Sequence, residues 1–360
     1  MRVFHCDHCG KLVFFENTLC ENCGHRLAYV PELRRIVSLD ATGKSSPLGP
    51  TYATPLRQSE GRAYRLCANY SNHNACNWAV PFDDPSALCK SCRLTQIIPD
   101  LNIEENRIAW RKIEAAKRRL IYSLIEFSLP LRSRVEDPVG GLAFRLLADY
   151  EGAPPVLTGH DEGIITLNIA EADDVERERR RTSLHEPYRT LLGHFRHEVG
   201  HYYWDRLIAD SPRLDACREL FGDERIDYDT SLKIHYEQGA PTDWNARFIS
   251  AYASVHPWED WAETWAHYLH MTDTVETASA CGLSLSLQPD HPDEPTMAKQ
   301  PLKPAREQEF SDIINNWFPL TYALNALNRG MGLGDAYPFY LPPPAIEKLR
   351  FIHETICQCS

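Results

Sequence analysis

The stretch Phe195-Arg-His-Glu-Val-Gly-His201 places two histidines four residues apart, with a glutamate directly after the first. On a helix, residues four apart lie on nearly the same face. His197 and His201 can therefore offer imidazole nitrogens to one ion while Glu198 stands beside them, near a bound water. A zinc ion held this way needs a third protein ligand. A fourth position left to water makes such a site catalytic, because the metal lowers that water's pKa to about 7 and polarises a substrate carbonyl. Glu198 would then take the water's proton as general base and pass it to the leaving amine. The missing ligand is sought in Tyr252-Ala-Ser-Val-His-Pro-Trp-Glu-Asp-Trp-Ala-Glu263, where Glu259 and Glu263 are again four apart on an expected helix. One carboxylate completes the shell, and the other, a turn away, can accept the outer N–H of a ligating histidine. Glu259 is assigned as ligand and Glu263 as its supporter, with Glu263, His256 and His267 left open as alternative ligands. His194 and His270 do not share the ligand spacing and read as structural or exposed.

The second chemical signal is sulfur. Of twelve cysteines, eight fall within the first 92 residues, mostly in metal-ligand spacings, which points to thiolates kept reduced in a cytoplasm rather than to a disulfide framework. Cys6-x2-Cys9 and Cys20-x2-Cys23 match a structural zinc closed on all sides, and Gly10 and Gly24 follow each pair where backbone N–H groups can turn toward sulfur. Cys67, Cys76, Cys89 and Cys92 form a less regular second set, with His73 as the alternative to one of them. The expected cofactors are thus one catalytic and two structural zinc ions. Units this small cannot bury enough apolar surface alone, so their zinc supplies folding free energy. Cys217, Cys281, Cys357 and Cys359 read as packed or exposed thiols.

The spacing predicts one zinc-ribbon unit over residues 1–40, a Pro/Gly/Ser-rich linker over 41–61, a second four-cysteine unit over 62–98 and the catalytic domain over 99–360. The fold class is α+β: small zinc-held units followed by a mostly helical domain. A helix follows Asn102, a strand spans Gly163–Ile169, and further helices start near Ser183 to Pro187 and at Pro257, running to about Met271. Closing helices are expected over Phe310–Leu327 and Pro344–Cys357, after an exposed connection from Leu287 to Arg306. The strand is equally readable as a core strand or as an edge for an extended peptide. The basic run from Arg107 to Arg119 shares its helix with apolar residues at helical spacing, so it reads as a solvated face. A net charge of −12 argues against broad nucleic-acid binding, and neither a signal peptide nor a membrane span is expected.

The helical segment at 252–263 resembles the glutamate zincins, and its Tyr-x6-Glu-x3-Glu spacing is similar to that of anthrax lethal factor and the Pro-Pro endopeptidases. That resemblance implies that Glu259 binds zinc and that Tyr252 hydrogen-bonds the developing oxyanion; without it, Tyr252 reads as a core tyrosine. Trp258 stands where the thermolysin pattern has Asn, which keeps Glu259 and Glu263 both open as ligand. Cys76-Asn-Trp78, Phe221-Gly-Asp-Glu224 and His256-Pro-Trp-Glu-Asp-Trp-Ala-Glu-Thr-Trp-Ala-His-Tyr268 resemble a bacterial family in which a zinc ribbon precedes a zinc-binding metallopeptidase, over nearly the whole chain. The resemblance implies the fold and names no substrate; the expected partners are a peptide or protein substrate at the open zinc and a protein partner at the ribbons. The competing reading is a non-enzymatic, zinc-stabilised adaptor that binds a protein or nucleic acid through the ribbons. Glu198 argues against it, since a structural site needs no base beside the metal.

Overall fold

The computed structural model describes residues 2–183, 190–285 and 309–359. The chain divides into two compact units, Val3–Arg179 and a second built from Arg180 onward together with the N-terminal Arg2.

The first unit opens with a small antiparallel pair, β1 (Phe4–His5) and β2 (Leu12–Val13). Then come β3 (Arg26–Val30), β4 (Arg35–Ser46), β5 (Gly49–Ala53) and β6 (Tyr64–Leu66), followed by the short helix α1 (Ala68–His73) and β7 (Ala79–Pro81). Strands β3 to β7 make one antiparallel sheet in sequence order. Residues 41–61, expected as a linker, therefore contribute strand. Pro47 and Leu48 form the turn, with Gly49 opening β5, while Thr42 and Thr51 bond across the hairpin through their hydroxyls at 2.5 Å. Next come β8 (Thr95–Ile97), the long helix α2 (Glu104–Glu126), β9 (Ala143–Leu147), β10 (Gly159–Asp161), β11 (Ile164–Asn168) and α3 (Asp174–Ser183). The second sheet has the order β10-β11-β9-β8. Strand β11 is paired on both sides, antiparallel to β10 and parallel to β9, so it is a core strand and offers no free edge to a peptide.

Helix α2 departs from expectation in an informative way. Its Trp110, Ile113, Leu120, Ile121 and Leu124 are fully buried, as the periodicity requires. Its basic residues are not all solvated: Lys117 is 0 % exposed and Arg118 only 6 %. Lys117 finds Glu114 one turn back at 2.8 Å, and Arg118 donates to the carbonyl of Ala75. Tyr122 meets Phe4, Phe15 and Tyr29 in an aromatic core that Trp78 completes against Phe15 and Tyr29, the closest pair being Tyr29 and Trp78 at 4.8 Å between centroids.

The second unit is helical: α4 (Leu191–Leu207), α5 (Leu214–Phe221), α6 (Tyr228–Gln238), α7 (Pro257–Ala280), α8 (Phe310–Gly330) and α9 (Pro343–Gln358). The start expected for α4 near Ser183 to Pro187 falls mainly on residues 184–189, outside the described ones, as does the connection expected from Leu287 to Arg306. The helix as described is capped by Thr190, whose Oγ1 accepts the Gly193 N–H at 3.0 Å. Helix α7 runs nine residues past Met271, because Thr272, Val275 and Ala278 continue its buried face. Helices α4 and α7 pack at close range. A Cβ built at Gly200 would stand 3.0 Å from the Ala262 Cα and 3.3 Å from the Ala262 carbonyl oxygen, so glycine is what allows this approach. Trp261 donates its indole N–H to the Gly200 carbonyl at 2.9 Å, and Tyr203 stacks on Trp265 at 4.9 Å.

Candidate metal centres

Helix α4 presents His197 and His201 one turn apart, and the first turn of α7 brings Glu259 to them. His197 Nε2 lies 3.0 Å from one Glu259 oxygen and His201 Nε2 3.7 Å from the other. The three residues offer ligand atoms that all lie within 4.8 Å of one another. Two imidazole nitrogens and a carboxylate of this spacing suit a zinc ion with an open fourth position. His197 Nδ1 faces Glu263 at 2.7 Å, so its N–H goes to that carboxylate and the Nε2 lone pair is left for an ion. Glu263 is itself held by the Ser250 hydroxyl at 2.6 Å, and Ser250 accepts the Ala253 N–H at 3.0 Å. Geometry thus separates the two glutamates: Glu259 faces both Nε2 atoms, while Glu263 faces the far side of one ring.

The alternatives left open by sequence have other occupations. His256 caps α7, its Nδ1 accepting the Trp258 N–H at 3.1 Å while Nε2 meets the Ile226 carbonyl at 3.1 Å. His267 is buried against the Tyr337 hydroxyl at 2.6 Å. Glu198 sits beside the ligands and pairs with His194 Nε2 at 3.1 Å. Burial alone would raise its pKa, but His194, His197 and His201 together bring it below the ordinary carboxylate value, so it is an anion at neutral pH. Tyr252 lies obliquely near His197, 5.9 Å between centroids. Burial holds its phenol and that of Tyr228 above their ordinary pKa, with Glu259 adding to the shift. Three contributors escaped the sequence reading. Tyr228 donates to Glu259 at 2.8 Å, Ser250 holds Glu263, and His194 holds Glu198. Only His194 had a signal, its position four residues before Glu198 on the helix.

Both cysteine sets gather in the first unit, each with its sulfurs within 4.8 Å of one another. The pairs Cys6–Cys23 and Cys9–Cys20 are 3.7 and 3.6 Å apart, and Cys76–Cys89 is 3.7 Å. A tetrahedron with metal–sulfur bonds of about 2.3 Å has edges of about 3.8 Å, so both sets fit zinc. Gly10 and Gly24 adopt positive φ and donate to the carbonyls of Cys6 and Cys20, both at 2.8 Å, rather than to sulfur. In the second set the Trp78 N–H points at Cys76 Sγ (3.4 Å) and the Cys89 N–H at Cys67 Sγ (3.4 Å). His73 instead packs edge-on against Trp110 at 5.6 Å.

Sequence comparison agrees with this layout. A family described as "Putative zinc-binding metallo-peptidase" matches residues 106–355, and a zinc-ribbon domain matches 3–103. The chain belongs to this metallopeptidase family. Relatives in Mycobacterium tuberculosis and Mycobacterium bovis, each described as an uncharacterized protein, are 44% identical over 358 residues, covering 99% of this chain and 95% of theirs. No solved structure matches. Among the described residues no helix is long and apolar enough to cross a membrane.

Proposed function

We propose that the chain is a zinc-dependent peptidase of the glutamate-zincin type, with His197, His201 and Glu259 as ligands and Glu198 as general base. The observation that carries this reading is the pairing of an open three-residue donor set with a buried, ionised carboxylate beside it. When bound, zinc supplies Lewis-acid polarisation of a carbonyl and acidification of water. The protein groups then have distinct tasks. Glu198, steadied by His194, accepts a proton and returns it to the leaving amine. Glu263 and Ser250 fix the ring and tautomer of His197. Tyr252, protonated at neutral pH, is the donor available to a developing oxyanion, while Tyr228 commits its proton to Glu259 and anchors that carboxylate. The two four-cysteine centres are structural, and their thiolates suit the reducing cytoplasm. A peptide or protein is the substrate, and the ribbons are the surface open to a protein partner.

The test is zinc counting joined to cleavage of a peptide library by wild type and Glu198→Gln. Three zinc ions in each protein and cleavage by wild type alone are expected. Equal cleavage by both removes Glu198 from the chemistry. A wild type that binds zinc only at the cysteines supports an adaptor instead.

A further inference from the structure

All but the first two residues of helix α2 lie within the segment matched by the metallopeptidase family, yet its side chains fasten the second four-cysteine centre. Arg111 donates to the His73 carbonyl at 2.9 Å, and Arg118, two turns further along nearly the same face, donates to the Ala75 carbonyl. These two carbonyls flank the turn that delivers Cys76. At the other end of the centre, the Thr95 hydroxyl donates to Glu114 at 2.8 Å three residues after Cys92, and Lys117 reaches the same hydroxyl. The helix thus grips the chain just before one ligand and just after another.

Charge gives this grip a chemical purpose. Four thiolates around a divalent ion leave a net charge of about −2. At the first centre Cys9 is exposed and Cys23 half-exposed, so solvent reaches that charge. At the second centre all four cysteines are buried, and a bare dianion there is costly. Within the helix, Lys117 and Glu114 neutralise each other, and of the two arginines that grip the approach to Cys76, Arg111 is only half-buried, which leaves Arg118 as the buried cation. Its guanidinium is almost fully buried and bonded to the residue preceding Cys76. We propose that Arg118 is the internal counter-cation of the Cys67/Cys76/Cys89/Cys92 centre, so that α2 is part of that metal site rather than a neighbour of it. The proposal does not depend on peptidase activity.

The experiment uses the zinc-loaded full chain under excess chelator and iodoacetamide, with alkylation of each cysteine followed by peptide mass spectrometry. Arg118→Gln keeps an amide donor for Ala75 and removes the charge; Arg118→Lys keeps the charge. In Arg118→Gln, alkylation of Cys67, Cys76, Cys89 and Cys92 is expected to accelerate on the order of 10- to 100-fold, the range for lost outer partners of metal ligands. Cys6, Cys9, Cys20 and Cys23 should react at the wild-type rate, and Arg118→Lys should stay near wild type throughout. Wild-type rates in Arg118→Gln, equal acceleration of both cysteine sets, or Arg118→Lys reacting as fast as Arg118→Gln would each overturn it. Should Arg118→Gln not accumulate in folded form, Arg118→Lys decides alone: a wild-type rate at the second set upholds the role of charge, and a tenfold faster one refutes it.

Discussion

Replacing Gly200 by alanine tests whether the α4–α7 approach is what assembles the three-residue donor set. The new Cβ would meet the Ala262 Cα at 3.0 Å, the Trp265 Cβ at 3.2 Å and the Ala262 carbonyl oxygen at 3.3 Å. Two of these atoms are backbone and the third is the root of a buried tryptophan, so none can swing aside. The helices must part by a few tenths of an ångström, and overpacking of this kind costs about 1–3 kcal/mol. Alanine returns about 1 kcal/mol through its helix propensity, for a net loss of about 1 kcal/mol. The larger consequence falls on the site, because His197 and His201 ride on α4 while Glu259 rides on α7. The indole bond from Trp261 to the Gly200 carbonyl, at 2.9 Å, would stretch with them. Urea denaturation should show the stability loss, and competition with a chelator should show one zinc of three held more weakly. Gly330→Ala, with nothing within 4 Å of its added carbon, is the control and should be neutral or slightly stabilising. If Gly200→Ala matches that control in both assays, the close crossing does not set the ligand geometry.

Further expectations concern single residues around the same centre. Glu263→Ala removes the acceptor for His197 Nδ1 and should weaken zinc there on the order of 10- to 100-fold by competition titration, while the cysteine-bound ions stay put. Unchanged affinity would mean that the ring needs no such support. Tyr228→Phe deletes the hydroxyl bonded to Glu259 and should lower peptide cleavage with all three zinc ions retained; full activity would leave that bond without a catalytic part. Lys348→Met strips Asp260 of its partner at 2.5 Å and should cost about 3–5 kcal/mol. Burial pushes the Asp260 carboxyl up, and Lys348 only partly opposes this, leaving it at about 7. A folded pKa above the unfolded one means that the contribution is present in acid and lost as pH rises through the folded value. Removing Lys348 raises that value further, so the deficit relative to wild type should be larger at pH 8 than at pH 5 in urea denaturation, and a pH-independent deficit would contradict this.

What sequence disclosed was whatever repeats along one helix. His197 with His201 and Glu259 with Glu263 are each four apart, so the faces they share could be read before any coordinates, as could the paired cysteine knuckles. Tyr228 and Ser250 could not, since one opens α6, the other sits in the connection before α7, and no period links either to the carboxylate it holds. Helix α2 departs from its sequence pattern for a different reason. Its charges were visible, and Glu114 stood three residues before Lys117, but helical spacing does not say which cations have buried partners on other segments. The hairpin of β4 and β5 was missed because Pro and Gly outweighed the strand-forming Thr and Tyr around them.

His256 shows how the pieces of the centre are tied together. It was an open candidate for the third ligand, and it lies three residues from the residue that faces the two imidazoles. With Nδ1 accepting from the Trp258 N–H, its Nε2 must carry the proton, and that proton is donated to the Ile226 carbonyl. One ring therefore starts α7 and fixes the segment leading into α6, which is itself capped by Asp227 accepting from Thr230 at 2.8 Å. Those two anchors determine where Tyr228 stands, and hence the direction from which its hydroxyl reaches Glu259. Glu259 in turn lies in the first turn of α7, where the positive end of the helix dipole favours a negative charge. Burial works against that charge, and His201, His197 and Tyr228 overcome it, holding the carboxyl down to about 2. His256, which lies outside the three-residue donor set, thus aligns the helix start, the tyrosine and the carboxylate on a single point.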